Sequence, residues 1–127
     1  MTAKTVFELV REAKLGIENL SPEQVEAEIK AGTATVVDLR DTPELAAGCI
    51  PGSVHASRGM LEFYADPSCP LHKKELDPAR RTIVYCAGGG RSALAVHTLQ
   101  AMGYRSVAHL EGGFHAWEAA GKPTRGG

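Results

Sequence analysis

The sequence is poor in cysteine, with three in 127 residues, at positions 49, 69 and 86. An odd number without paired spacing excludes the dense disulfide framework of a secreted mini-protein and leaves at least one thiol free. An excess of either charge is also missing, since 14 Lys and Arg face 15 Asp and Glu for a net charge of −1. Near-neutrality excludes a surface built mainly for nucleic acid or another polyanion. No apolar run approaches the roughly 18 residues of a membrane span. The start, Met1-Thr2-Ala3-Lys4-Thr5, lacks the basic region and apolar core of a secretory leader. No membrane partner is expected, and the expected compartment is the cytoplasm. Aromatic residues are few, at 6%, but 43% of the chain is apolar and 23% charged, the balance of one ordinary globular domain. The length leaves no room for a second full domain, and suffices to bury roughly two-thirds of the chain's surface without disulfide or metal staples.

What is abundant is glycine, 14 residues, concentrated at Gly88-Gly89-Gly90 and Gly112-Gly113. Hydrophobic periodicity places the elements around these clusters. Val6, Leu9, Val10, Ala13 and Ile17 share one helical face, which predicts an amphipathic helix over 4–16 ended by Gly16. Ile17 to Leu20 reads as a short strand. Ser21-Pro22-Glu23-Gln24 forms a capping box with proline at the first helical position, opening a helix through Lys30 that stops at Gly32. Thr35-Val36-Val37-Asp38-Leu39 and Thr82-Ile83-Val84-Tyr85 are continuous β-branched and apolar runs, as in strands buried on both faces. Between them the pattern gives a helical turn at 43–47, a turn at Pro51-Gly52, a brief strand at 53–56, a helix over 59–64 and a proline-punctuated loop over 65–78. A helix from about Arg91 to Met102, a strand at 107–110 and a helix over 112–120 complete the chain. This alternation predicts an α/β fold, a central parallel sheet with helices on both faces. Ligands of such sheets sit beyond the carboxyl ends of the strands. That rule selects Asp38 and Arg40, Ser57 and Arg58, Cys86 with its loop, and the residues after Leu110.

Cys86-Ala87-Gly88-Gly89-Gly90-Arg91-Ser92 leaves a buried strand and enters a helix. Successive N–H groups in such a turn converge into a nest, and the helix N-terminus adds its partial positive charge. Three consecutive glycines are expected where the backbone takes positive φ or approaches a ligand closely. A thiol at the mouth of this ring is favoured as the thiolate, a ready nucleophile. Two other readings stand beside this one. Cys86 can be a small buried residue that ends a strand, with the glycines as a tight turn. Gly88-Gly89-Gly90-Arg91-Ser92-Ala93 also fits the nucleotide-binding pattern G-x-G-x-x-A, with Glu111 near the expected distance. That fingerprint opens the first βαβ unit of a larger domain, whereas here it falls near the end of the chain, and the phosphate-binding G-x-x-x-x-G-K-[ST] is absent.

Four segments in order carry a family resemblance. They are Val36-Val37-Asp38-Leu39-Arg40 with Glu44, Gly48-Cys49-Ile50-Pro51-Gly52-Ser53-Val54-His55, Tyr85-Cys86 with its loop to Arg91-Ser92, and Leu110-Glu111-Gly112-Gly113-Phe114-His115-Ala116-Trp117. Together they resemble the rhodanese-like domains, single-domain sulfurtransferases. The resemblance runs from Ile17 to Pro123 and divides the chain into an N-terminal helical extension, 1–16, and a rhodanese-like domain, 17–127. It implies a persulfide mechanism. The Cys86 thiolate attacks the outer sulfur of a small anionic donor such as thiosulfate, sulfite leaves, and the sulfane sulfur is held as Cys86–S–SH. A thiol, cyanide or a protein sulfur acceptor then removes it. The N–H groups of Ala87, Gly88, Gly89, Gly90 and Arg91 would stabilise thiolate and persulfide in the manner of an oxyanion hole. The resemblance implies no metal and no organic cofactor. Cys86 to Arg91 spans C-x4-R, the loop length of sulfurtransferases; related cell-cycle phosphatases carry C-x5-R, a wider ring for a tetrahedral oxyanion.

Asp38 and Arg40 resemble the family's D-x-R motif, and a structural ion pair beneath the site is the favoured role of Asp38. Arg58 is the candidate to bind an anionic donor, against a plain solvated arginine. Arg91 either lends charge to the loop or simply begins the helix. Phe114 and Trp117 read as core. Cys49 stands where the family commonly has histidine, as a buried residue or a resolving thiol for Cys86. Cys69 and His72 have C-x2-H spacing with no second ligand pair, so no zinc site is expected. His55, His97, His109 and His115 default to packing or surface roles. The rival from another class is a non-catalytic binding module or sulfur relay, with loop 65–78 as a docking segment. The presence of Cys86 favours the enzyme.

Overall fold

The computed structural model describes residues 2–126. The chain opens with α1, Val6–Lys14. The Thr5 hydroxyl accepts from the Glu8 N–H, and the Glu8 carboxylate accepts from the Thr5 N–H. This capping box starts the helix two residues later than periodicity alone predicts. Then follow β1 (Glu18–Leu20), α2 (Pro22–Ala31), β2 (Ala34–Asp38), β3 (Val54–His55), α3 (Leu61–Ala65), β4 (Arg81–Tyr85), α4 (Gly90–Ala101), β5 (Val107–Leu110) and α5 (Gly113–Ala119). Two 3-10 segments, Thr42–Ala47 and Arg58–Met60, lie between β2 and α3. The helix expected over 59–64 is thus a 3-10 turn leading into a short α-helix.

The five strands form one parallel sheet in the order β1-β5-β4-β2-β3. β4 lies at its centre, as its uninterrupted apolar run requires, with Val84 and Tyr85 fully buried. Period-two alternation divides the core between the two faces. Val37, Val84 and Val107 meet Leu61, Ala95, Val96 and Leu99 of α3 and α4. Val36, Ile83, Ala108 and Leu110 meet Val25 of α2 and Phe114 and Trp117 of α5. Each fully buried aliphatic side chain contributes roughly 1.5–3 kcal/mol, so this double-sided packing fixes which strand ends converge. The carboxyl ends of β2, β4 and β5 meet on one edge. α1 lies against α4, where the Ala13 carbonyl is 2.8 Å from His97 Nε2. Among the described residues no helix is long and apolar enough to cross a membrane.

Candidate active site

Cys86 follows directly on the central strand and is 1% exposed. Val84 faces α4, so alternation turns Cys86 to the same face, under the N-terminus of that helix. Its Sγ receives N–H groups from Gly89 at 3.2 Å and from Ser92 at 3.4 Å. Ser92 Oγ lies 3.5 Å away, within reach of the thiol S–H. The sulfur therefore sits inside the loop at the positive end of a helix of 12 residues, an environment that favours negative charge. Of the three successive glycines only Gly89 has a left-handed backbone, φ 101°, and it is the N-cap of α4. A side chain there would bring Cβ to 3.2 Å from the Gly112 nitrogen.

The second glycine pair clamps the first. The N–H of Phe114 donates to the Cys86 carbonyl at 2.8 Å, and that of His115 to the Ala87 carbonyl at 3.1 Å. With these carbonyls drawn toward α5, the N–H of Gly89 turns to the sulfur, whereas among the described residues the predicted amides of Ala87, Gly88, Gly90 and Arg91 make no hydrogen bond to it. Gly113, φ 61°, lies so close that an added Cβ would be 2.5 Å from both carbonyl oxygens. Sequence reasoning placed Gly112-Gly113 at a turn but missed this role, because the approach of the two loops depends on the pairing of β4 with β5.

Asp38 and Arg40 form the buried ion pair expected beneath the site, exposed 0% and 3%. Arg40 Nη2 donates to Asp38 Oδ2 at 2.8 Å and to the Gly48 carbonyl at 2.7 Å, and Nε donates to Asp38 Oδ1 at 3.0 Å. The guanidinium stacks 4.3 Å from the Phe114 ring centre. Tyr85 completes the network, donating its hydroxyl to Asp38 Oδ2 at 2.6 Å. Burial first, then the adjacent carboxylate, push its ionisation well above the ordinary tyrosine range. Arg91 points not at the sulfur but at Glu44, with two parallel bonds of 2.8 and 2.9 Å. This fork pulls Glu44 down to about 2. Glu44 also accepts from the Asp41 N–H at 2.8 Å, so one carboxylate joins the segment after β2 to the first turn of α4.

Arg58 does not point at the loop. Its guanidinium donates to Glu62 at 3.0 Å and to Thr98 at 3.2 Å, two turns along α4 from Arg91. Cys49 is a free thiol whose backbone forms a two-bond bridge to Arg125. Cys69 is also free, and His72 Nε2 lies 2.8 Å from the Leu76 carbonyl within the loop. His109 is fully buried, as a packing role allows, but it also joins Ser92, at 2.9 Å, to Asn19, at 2.7 Å, a link not expected of an isolated histidine. The only signal for Ser92 was a hydroxyl directly after the loop arginine, and for Asn19 there was none. The extension also reaches the site, since Val6, Phe7, Val10 and Lys14 line a hollow with Gly88 and Gly90.

A cysteine held in a six-residue amide loop at the end of the central strand of a parallel sheet defines an α/β domain with a cysteine-loop site. The chain belongs to the rhodanese-like family, whose Rhodanese-like domain pattern matches residues 21–120. It is 35% identical over 103 residues to the thiosulfate sulfurtransferase GlpE of Ectopseudomonas mendocina (strain ymp), an alignment covering 79% of this chain and 84% of the relative. Among solved structures, a protein of unknown function from Rhodopseudomonas palustris CGA009, described as a possible tyrosine phosphatase, is 42% identical with a TM-score of 0.90. That match covers 98% of this chain and 97% of the other. A rhodanese-related protein from Thermoplasma volcanium gives a TM-score of 0.72 at 29% identity, covering 85% of this chain and 97% of the other.

Proposed function

We propose that the protein is a sulfurtransferase that carries sulfane sulfur as a persulfide on Cys86. The observation that supports this most is the pair of N–H bonds from Gly89 and Ser92 to Sγ within a C-x4-R loop. Such donors stabilise an anion on sulfur before attack and again on the persulfide, without reorganising during reaction. In the forward half-reaction the Cys86 thiolate displaces sulfite from thiosulfate, forming the S–S bond as the donor S–S bond breaks. In the second half a thiol or cyanide attacks the outer sulfur and returns the thiolate. The backbone amides of Gly89 and Ser92 hold the sulfur within the loop from Ala87 to Arg91, and Asp38 and Arg40 support that loop from below.

The description of the Rhodopseudomonas neighbour gives a second reading, phosphomonoester hydrolysis. Here the six-residue loop speaks for sulfur, because a tetrahedral phosphoryl group needs a wider ring of donors. Intact mass after incubation with thiosulfate tests both. The expected result is a gain of about 32 Da that cyanide removes and that Cys86→Ala lacks. Absence of the adduct with thiosulfate and with other sulfane donors, together with hydrolysis of an aryl phosphate, would overturn the proposal in favour of the second reading. Absence of both leaves a binding module.

A further inference from the structure

Beneath the loop runs a chain of hydrogen bonds that sulfur transfer as proposed above does not use. Cys86 Sγ is 3.5 Å from Ser92 Oγ, Ser92 Oγ is 2.9 Å from His109 Nδ1, and His109 Nε2 is 2.7 Å from Asn19 Oδ1. Cys86, Ser92 and His109 are buried, while Asn19 lies at the surface. The outer end fixes the direction. Asn19 Nδ2 donates to the carbonyls of Lys14 and Ile17 at 3.0 and 3.1 Å, so Oδ1 is the atom that faces the ring, and it can only accept. His109 Nε2 therefore carries a proton. Burial pushes His109 down to about 4, so the resting ring is neutral and Nδ1 is bare. The Ser92 hydroxyl then donates to Nδ1 and offers its lone pairs to the Cys86 S–H.

We propose that Ser92 and His109 are a proton relay for the Cys86 thiol. The thiol proton passes to Ser92 Oγ as the Ser92 hydroxyl proton passes to His109 Nδ1. The S–H bond and the original O–H bond break, a new O–H bond and an N–H bond form, and no electrons leave the pair. Thiol and imidazole become thiolate and imidazolium, the negative charge arriving on the sulfur offsetting the burial that keeps the resting ring neutral. Both inner hydrogen bonds are then reversed, so that Nδ1 donates to Ser92 and Ser92 donates to the sulfur, beside the Gly89 and Ser92 amides. Nε2 continues to donate to Asn19. Besides Cys86, the charged groups around the ring are Glu111, with Oε1 3.8 Å from Nε2, and Lys14 of α1, bonded to the other Glu111 oxygen at 2.8 Å. Glu111 favours the imidazolium and Lys14 opposes it. His109 touches no reacting atom and is a positioning residue that acts through Ser92. The relay rests on Cys86 as the nucleophile.

Alkylation of Cys86 by iodoacetamide, read at the Cys86 peptide by mass, measures thiolate availability without any sulfur donor. A failed relay is thereby distinguished from failed sulfur transfer, which thiosulfate loading reads. At pH 7, Ser92→Ala and His109→Asn, which keeps a partner for Ser92 but no proton acceptor, are expected to alkylate about tenfold more slowly than wild type, one pH unit in the profile. The difference disappears in strong alkali, where hydroxide takes the thiol proton directly. Glu111→Gln is expected to slow alkylation roughly twofold to threefold through the weaker imidazolium. Loss of a negative charge acting directly on the thiolate would instead accelerate it. A folded His109→Asn that alkylates at the wild-type rate throughout the pH range overturns the relay. Where His109→Asn fails to fold, Glu111→Gln decides, and a rate equal to or above wild type overturns it.

Discussion

A Cβ on Gly113 would stand 2.5 Å from the carbonyl oxygen of Cys86, closer than any side chain can approach. The turn after β5 and the loop after β4 are therefore a single packed unit. Gly113→Ala is expected to destabilise the fold by roughly 3 kcal/mol, from overpacking and a left-handed backbone combined, and to abolish persulfide loading. Gly88→Ala, whose Cβ meets open space, is expected to stay within about 0.5 kcal/mol of wild type and to load normally. Urea denaturation and the mass assay check both.

The Asp38–Arg40 pair predicts a non-additive cycle. Asp38→Asn leaves a buried guanidinium without its counter-charge and is expected to lose about 3–5 kcal/mol. The double variant Asp38→Asn, Arg40→Met is expected to lose less than the sum of the two single variants. Additive losses in denaturant unfolding would deny the pair its coupling.

Two groups give acid sensitivity in separate windows. His109 is held below its unfolded value, so the unfolded chain binds its proton first, and stability falls as pH drops from about 6.5 toward 4. Glu44 is lowered to about 2 from 4.5, chiefly by Arg91, so its contribution is present above 4.5 and is lost as pH falls toward 2. Partial exposure of the Glu44–Arg91 fork, whose side chains are 32% and 38% exposed, limits that second contribution to about 1 kcal/mol. Unfolding free energies of His109→Asn are expected to be flatter between pH 6.5 and 4, and those of Glu44→Gln flatter below 4.5. Parallel profiles for wild type and both variants would contradict this.

The sequence left Arg58 open between binding an anionic donor and a plain solvated arginine, and Glu62 and Thr98 hold it along α4. Arg58→Ala is expected to change KM for thiosulfate by less than about twofold, as for a surface pair. A tenfold rise in steady-state KM would return it to the donor site.

The elements most legible in the sequence were those whose signal is local. β2 and β4 announce themselves as continuous β-branched runs, Ser21 to Gln24 spells out a capping box, and Cys86 to Ser92 carries its glycines in one stretch. Glu44 on Arg91, Gly113 under Cys86 and His109 behind Ser92 were not legible as contacts, because each joins residues brought together by strand order. His109 stands beside Val84 in the pairing of β5 with β4, which turns it toward α4 and the cysteine. A histidine in an apolar strand carries no mark of that register.

The strand order also dictates when the site can exist. β1 stands at the sheet edge against β5, with Glu18 beside Ala108, so β1 waits for a partner that is synthesised much later in the sequence. The bonds from Phe114 and His115 that clamp the cysteine loop come later still. A chain growing from its N-terminus holds Cys86 as an unclamped thiol until α5 emerges, and folding is delayed by these distant pairings. Assembly of the sulfur cradle is thus coupled to synthesis of β5 and α5, and a ribosome stalled before residue 113 carries a cysteine that has not yet acquired its cradle.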